Sequence, residues 1–271
     1  MLVFPNSVWV VIIVKRFLPV LLSACCLLAF APASYAVLQD EIQVYDDEIN
    51  DKGEYSLELH VNTTPNGIKT PGYRGEVMNA GNTRLTPELA YGLGHGLEAG
   101  LYLNTVFNGG NWEYAGYKAR LKWLPILEKD GYDFFAGVNL EVGNQLYQYE
   151  QSRYAAEARF IIGKHIDKWL VSVNPIFGYQ LSQPYQSTSP NFSLAARVSR
   201  EVTSDLALGV EYYSDVGALN QSFNYQETGQ AAFLMMYWEG KPFAFQAGIG
   251  KGLTQNTDSL TIKAIFSIPL P

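Results

Sequence analysis

Leu260-Thr261-Ile262-Lys263-Ala264-Ile265-Phe266-Ser267-Ile268 alternates from end to end. Successive strand side chains point to opposite faces. Leu260, Ile262, Ala264, Phe266 and Ile268 therefore share one face, and Thr261, Lys263, Ile265 and Ser267 the other. An apolar face of this kind needs apolar matter against it. From about Glu54 onward the chain repeats the same device, alternating runs of roughly ten residues closed by turns, and no helical stretch is left to supply a core. The pattern predicts an all-β, up-and-down antiparallel barrel that turns its apolar face to lipid and its polar face to a lumen.

Twelve strands are expected, near 54–62, 84–92, 97–106, 114–124, 132–143, 153–163, 169–179, 191–200, 206–214, 228–238, 243–250 and 259–268. Each is about the 9–11 residues that cross a bilayer at a tilt. An even number places both termini on one side. Connections after odd strands read as longer (Thr63–Thr83, Phe107–Glu113, Asn144–Ser152, Gln180–Pro190, Asp215–Glu227, Lys251–Asp258). Those after even strands read as shorter (Leu93–Gly96, Pro125–Gly131, Lys164–Lys168, Glu201–Asp205, Glu239–Pro242). Long outer loops and tight periplasmic turns are the habit of membrane barrels, so both termini are expected in the periplasm. Pro87 and Pro175 fall inside strands and count against those two assignments, since proline removes a ladder donor.

Composition agrees with this reading. The 271 residues are moderately hydrophobic, and the array is uniform enough for one barrel domain, 54–271. The 18 tyrosines, 14 phenylalanines and 5 tryptophans suit a barrel that places aromatic rings at its two membrane interfaces. Tyr91, Trp123, Trp169, Trp238 and Phe243 all fall beside expected periplasmic turns. Acidic residues outnumber basic ones, 26 to 19, which argues against a nucleic-acid partner.

Residues 1–36 read as a secretory signal: Lys15-Arg16, an apolar run from Phe17, and a small-residue cleavage site at Ser34-Tyr35-Ala36. The apolar stretch before Lys15 suggests a true start at Val14. Leu22-Ser23-Ala24-Cys25 also fits a lipoprotein signal, a reading weakened because Leu27 to Phe30 continue the apolar run. Both cysteines, Cys25 and Cys26, lie in this region, so a chain cut after Ala36 has no disulfide or thiolate chemistry. Its charge is (19 − 2) − 26 = −9. Residues 37–53 form an acidic segment with Asp40, Glu41, Asp46, Asp47, Glu48 and Asp51. We expect it to be solvated in the periplasm or folded into the barrel mouth. The spacing Asp46, Glu48, Asn50 lacks the glycine of an EF-hand loop, which disfavours calcium.

The polar faces of the strands are densely charged. Glu58, His60, Arg84, Glu88, Glu98, Lys118, Arg120, Lys122, Glu157, Arg159, Arg197 and Glu211 are the expected lumen and solute-path residues, with Glu141 and Lys263. Glu98 is expected to face Lys122, and the fourth turn to bring Lys122 toward Asp133. Interleaved signs favour cross-bracing of a narrow lumen. The row Lys118, Arg120, Lys122 is the alternative, an anion-attracting path. A lipase would need a Ser-His pair at the lipid surface, yet only His60 lies mid-strand and it faces inward. A G-x-S-x-G elbow, a metal-binding histidine pair and a nucleotide fingerprint are all missing from the sequence, so no enzyme, cofactor or metal is expected.

Several stretches resemble a largely uncharacterised family of proteobacterial outer-membrane barrels. They are Leu38-Gln39-Asp40-Glu41-Ile42-Gln43-Val44-Tyr45, Leu57-Glu58-Leu59-His60-Val61-Asn62, Arg84-Leu85-Thr86-Pro87-Glu88, Leu121-Lys122-Trp123-Leu124-Pro125 and Ile262-Lys263-Ala264-Ile265-Phe266. The chain is also distantly similar to channels linked to the meta pathway of phenol degradation, and that similarity implies passage of small aromatic or hydrophobic solutes. Barrels of this kind end on an aromatic residue read by the assembly machinery. This chain ends Ile268-Pro269-Leu270-Pro271, which leaves Phe266 for that role. The sequence thus points to an outer-membrane channel for small solutes. The alternatives are a closed structural or adhesive barrel, a lipocalin-like periplasmic barrel and a lipase.

Overall fold

The computed structural model describes residues 40–221, 225 and 228–270. The signal-peptide reading therefore lies outside the described residues. Twelve strands form one closed antiparallel barrel: β1 Tyr55–Asn66, β2 Thr83–Gly94, β3 Leu97–Asn108, β4 Asn111–Ile126, β5 Phe135–Gln145, β6 Tyr154–Ile166, β7 Trp169–Gln180, β8 Asn191–Glu201, β9 Leu206–Ala218, β10 Gly229–Trp238, β11 Ala244–Gly252 and β12 Leu260–Leu270. Every strand pairs with its neighbours in sequence, and β1 closes on β12, from Tyr55 opposite Leu270 to Asn66 opposite Leu260. Closure leaves no unpaired edge. A short 3₁₀ segment, Glu128–Asp130, interrupts the even-side connection between β4 and β5.

The alternation of each strand maps onto two unlike faces. Outside, mid-strand residues are large and apolar, among them Leu101, Leu140, Val142, Ile162, Leu208 and Ile249. Leu234 is 68% exposed. Inside, Glu88, Glu98, Asn139, Asn174, Glu211 and Lys263 are buried, Lys263 to 1% exposure. Water-soluble proteins reverse this order, and an apolar belt this continuous needs an apolar medium. On β12, Thr261, Lys263 and Ile265 are buried while Leu260, Ile262, Ala264 and Phe266 are not, the two faces read from the sequence.

Both in-strand prolines are accommodated. The β2–β3 register has no partners at Thr86 and Pro87, and the β6–β7 register skips Asn174 and Pro175. Each proline still pairs on its other side, Pro87 with Leu59 and Pro175 with Leu194, so its missing donor disturbs one ladder only.

Loop sorting holds with two exceptions. On the odd side, β3 and β4 extend further than expected and meet at Gly109-Gly110, whose φ values of 57° and 90° suit the tight hairpin turn that matches strand twist. On the even side, 127–134 is longer than a tight turn and holds the 3₁₀ segment. The even turns 95–96 and 167–168 have two residues each, with His95 and Asp167 at positive φ.

Aromatic rings collect at the even-turn rim. Trp123 and Trp169 are exposed, the Tyr91 ring lies 4.4 Å from Tyr55, and Trp238 contacts Phe243 and Phe245 at 5.4 and 5.6 Å. A second group flanks the opposite rim, where Phe107 and Trp112 approach to 5.2 Å beside the Gly109-Gly110 turn and Tyr114, Tyr147, Tyr154 and Tyr179 are exposed.

Candidate functional site

The lumen is occupied by the chain itself. Residues 40–53, expected in the periplasm or at the mouth, run the length of the interior instead. The segment enters beside β2, where Gly53 N–H donates to Gly92 O at 2.9 Å. The absence of a side chain at Gly92 permits this entry: a Cβ there would lie 2.0 Å from the Asp51 carbonyl oxygen. At the far end Asp40 meets Arg84 and Gln145, residues next to the odd-side loops.

Charge complementarity holds the segment. Arg84 Nη1 lies 2.5 Å from Asp40 Oδ1, Lys118 Nζ 2.7 Å from Glu41 Oε2, and Arg197 Nη1 2.6 Å from Asp46 Oδ2. Asn104 and Gln145 donate to the second oxygen of Asp40. The segment's backbone is satisfied by the wall. Tyr45 N–H donates to the Asn174 side chain at 2.7 Å, and Ser172 donates to Tyr45 O at 2.6 Å. Arg159, Lys122 and Lys263 donate to the carbonyls of Gln43, Glu48 and Ile42. Val44 packs against Ile176, Tyr213, Phe233 and Tyr237. Tyr45 is buried; its hydroxyl bonds Glu41 and Tyr102, and the Arg159 guanidinium lies 4.6 Å from its ring centre.

All the sequence-predicted lumen residues lie on the inner face, though Glu58 and Lys118 are only partly buried. They are joined as a brace. Glu98 stands opposite Lys122 as expected and meets it at 3.0 Å, while Arg120 bridges Glu88 at 2.5 Å and Glu98 at 2.7 Å. Lys118 also contacts Glu141 at 2.9 Å, Arg159 contacts Glu157 at 3.1 Å, and Lys263 pairs with Glu211, which also accepts from Tyr213 and Tyr237. The expected approach of Lys122 to Asp133 does not occur: Lys122 turns into the lumen, and exposed Asp133 pairs with Lys164 at 2.7 Å. Each member of the basic row Lys118, Arg120, Lys122 is bonded to carboxylates and does not present bare positive charge. His60 is wholly buried between Glu58 and Glu88, away from the outer surface a lipase site would need.

Sequence reasoning found the wall but not its occupant. The signal was present: six carboxylates in the leader match a barrel whose inner face carries Arg84, Lys118, Arg159, Arg197 and Lys263.

The segment lines three cavities. One of ≈ 550 Å³ opens at the rim that carries Tyr55 and Pro269, and two smaller ones, ≈ 140 and ≈ 110 Å³, lie toward the odd-side loops. The last is flanked by Glu150 in the β5–β6 loop, whose carboxyl is pushed up to about 7, first by burial and further by the Asp40 charge.

No family model and no curated relative matches the chain. Solved structures do share its architecture. The KdgM porin in complex with disordered oligogalacturonate superposes with a TM-score of 0.54 at 6% identity, over 80% of this chain and 99% of that one. The NanC porin gives 0.53 at 7% identity, over 80% and 100%. The COG4313 outer membrane channel from Pseudomonas putida F1 gives 0.53 at 13% identity, over 85% and 100%. The likeness is one of fold. This chain shares a β-barrel fold with two porins and an outer-membrane channel, and the substrate does not follow from it.

Proposed function

We propose that this protein is a channel for small solutes in the bacterial outer membrane, with its own residues 40–53 as the lumen constriction that sets passage. One observation carries the reading: a closed barrel with hydrocarbon outside and acidic and basic side chains inside. Buried charge on this scale is a poor way to stabilise a solid core, because desolvation offsets most of the attraction. It suits a lumen that water and polar solutes enter. The aromatic rims favour placement in a membrane, and the longer odd-side loops favour the even turns, the start of β1 and the end of β12 on the periplasmic side. Phe266, stacked on Phe245 at 6.0 Å, presents the aromatic surface available to assembly machinery near the C-terminus.

Liposome swelling with neutral sugars of graded size tests this. Flux of the smallest solutes with a sharp size cut-off is the expected result, and vesicles that stay tight with folded protein would reject it. A second reading, a closed structural barrel, is favoured by the number of bonds that hold the segment. It predicts no flux even when the segment is released.

A further inference from the structure

The β1–β2 register sets Glu58 directly across from Glu88, and His60 follows Glu58 on the same inner face. Like charges in directly opposed positions repel, so this pair favours positive charge between its members. His60 Nε2 is 3.2 Å from Glu88 Oε2 and 3.5 Å from Glu58 Oε2, and the three donor atoms lie within 4.8 Å of one another. Ligand atoms around a tetrahedral ion with bonds of about 2.0–2.1 Å are themselves about 3.3–3.4 Å apart. His60 thus stands at ligand spacing from both carboxylates.

Both carboxylates are also held from behind. Arg120 Nη2 lies 2.5 Å from Glu88 Oε1, and the Ser267 hydroxyl donates to Glu58 Oε1 at 3.1 Å. In each case one oxygen is anchored and the other is aimed at His60. Outer-shell partners that fix ligand orientation in this way are the usual support of a metal centre. Glu58 and Glu88 border the ≈ 550 Å³ cavity, whose lining carries seven carboxylates against three cationic side chains. Such a mouth concentrates divalent cations. One imidazole and two carboxylates suit zinc-class ions better than calcium or magnesium, and three protein ligands leave a position for water.

We propose that Glu58, His60 and Glu88 bind a divalent transition-metal ion of the zinc class, entering from the acidic cavity at the terminal rim. The site does not depend on whether the lumen conducts.

Its test is a Co²⁺ titration of the full-length, chelator-stripped protein in detergent micelles, followed by visible absorption, with Zn²⁺ and Mg²⁺ as competitors. One saturable equivalent of Co²⁺ is expected, displaced by Zn²⁺ and untouched by equal Mg²⁺. His60→Ala should weaken binding by about 100-fold or more and Glu58→Gln by about 10-fold or more, since loss of an outer-shell partner alone costs about 10–100-fold. Heat-modifiable gel migration confirms that each variant is folded. If His60→Ala fails to fold, Glu58→Gln decides alone, since that side chain is partly exposed. No saturable band, or an identical band in the folded variants, overturns the site and leaves His60 as a hydrogen-bonded brace between two glutamates.

Discussion

Asp46→Ala combined with Glu41→Ala should release the lumen segment without unfolding the barrel. Removing one partner of a buried ion pair costs about 3–5 kcal/mol, much of it from the charge left behind. Arg197 would keep its bond to Ser199 and its position 3.5 Å from the Tyr237 ring centre, so the lower end, about 3 kcal/mol, applies to Asp46. Lys118 retains Glu141 at 2.9 Å when Glu41 is lost, which limits that loss to about 1–2 kcal/mol, the range of a charged hydrogen bond. Both changes bear on one docking equilibrium and together amount to about 4 kcal/mol. At tenfold per 1.4 kcal/mol, that raises the undocked population by roughly a thousandfold. Single-channel recording reads this as open probability. The double variant should show long, large openings that are rare in the wild-type protein, with each single variant between them and Asp46→Ala the stronger. Wild-type recordings from a folded double variant would mean that neither the constriction nor its electrostatic hold controls passage.

Three further outcomes follow from particular contacts. Leu234→Arg, at the most exposed of the large outward positions, should cost about 2–4 kcal/mol for folding into lipid vesicles if that position lies near the bilayer midplane. A barrel facing water would be indifferent to it, and urea unfolding in vesicles separates the two. Gly92→Ala forces its Cβ against the Asp51 carbonyl and should loosen residues 50–54, with about 1–3 kcal/mol lost to overpacking and faster hydrogen exchange at the Gly53 amide. Glu150 has a folded-state pKa of about 7, above its unfolded value of about 4.3, so the folded protein holds that proton more tightly. Its contribution is intact below the unfolded value and is lost as pH rises toward 7. Glu150→Gln should therefore be relatively more stable at pH 8 by about 1–3 kcal/mol, with no such gain at pH 4, as read from denaturant midpoints.

Much of the wall was legible because a period of two leaves no ambiguity about faces. Once Leu260 is placed outside, Lys263 must be inside, and the same logic oriented Glu58, Arg120 and Glu211. Strand ends were less legible. Nothing in local alternation shows that Gly109-Gly110 is the entire β3–β4 connection until the glycines are recognised as the pair a tight hairpin accepts. The lumen segment was harder, since residues 40–53 have no period and their order comes from partners far away in sequence: Asn174 for Tyr45, Arg197 for Asp46. The Glu58, His60, Glu88 cluster was invisible for a related reason. His60 and Glu88 are 28 residues apart, and only the β1–β2 register brings them together.

We read this barrel as a membrane channel constricted by its own residues 40–53. Planar-bilayer recording of the full-length protein beside a variant lacking residues 40–52, both shown to be folded by heat-modifiable migration, decides whether that segment is the constriction. Small or infrequent current steps are expected from the full-length protein, and large, stable steps from the shortened one. Two folded barrels that insert and carry no current would contradict that reading.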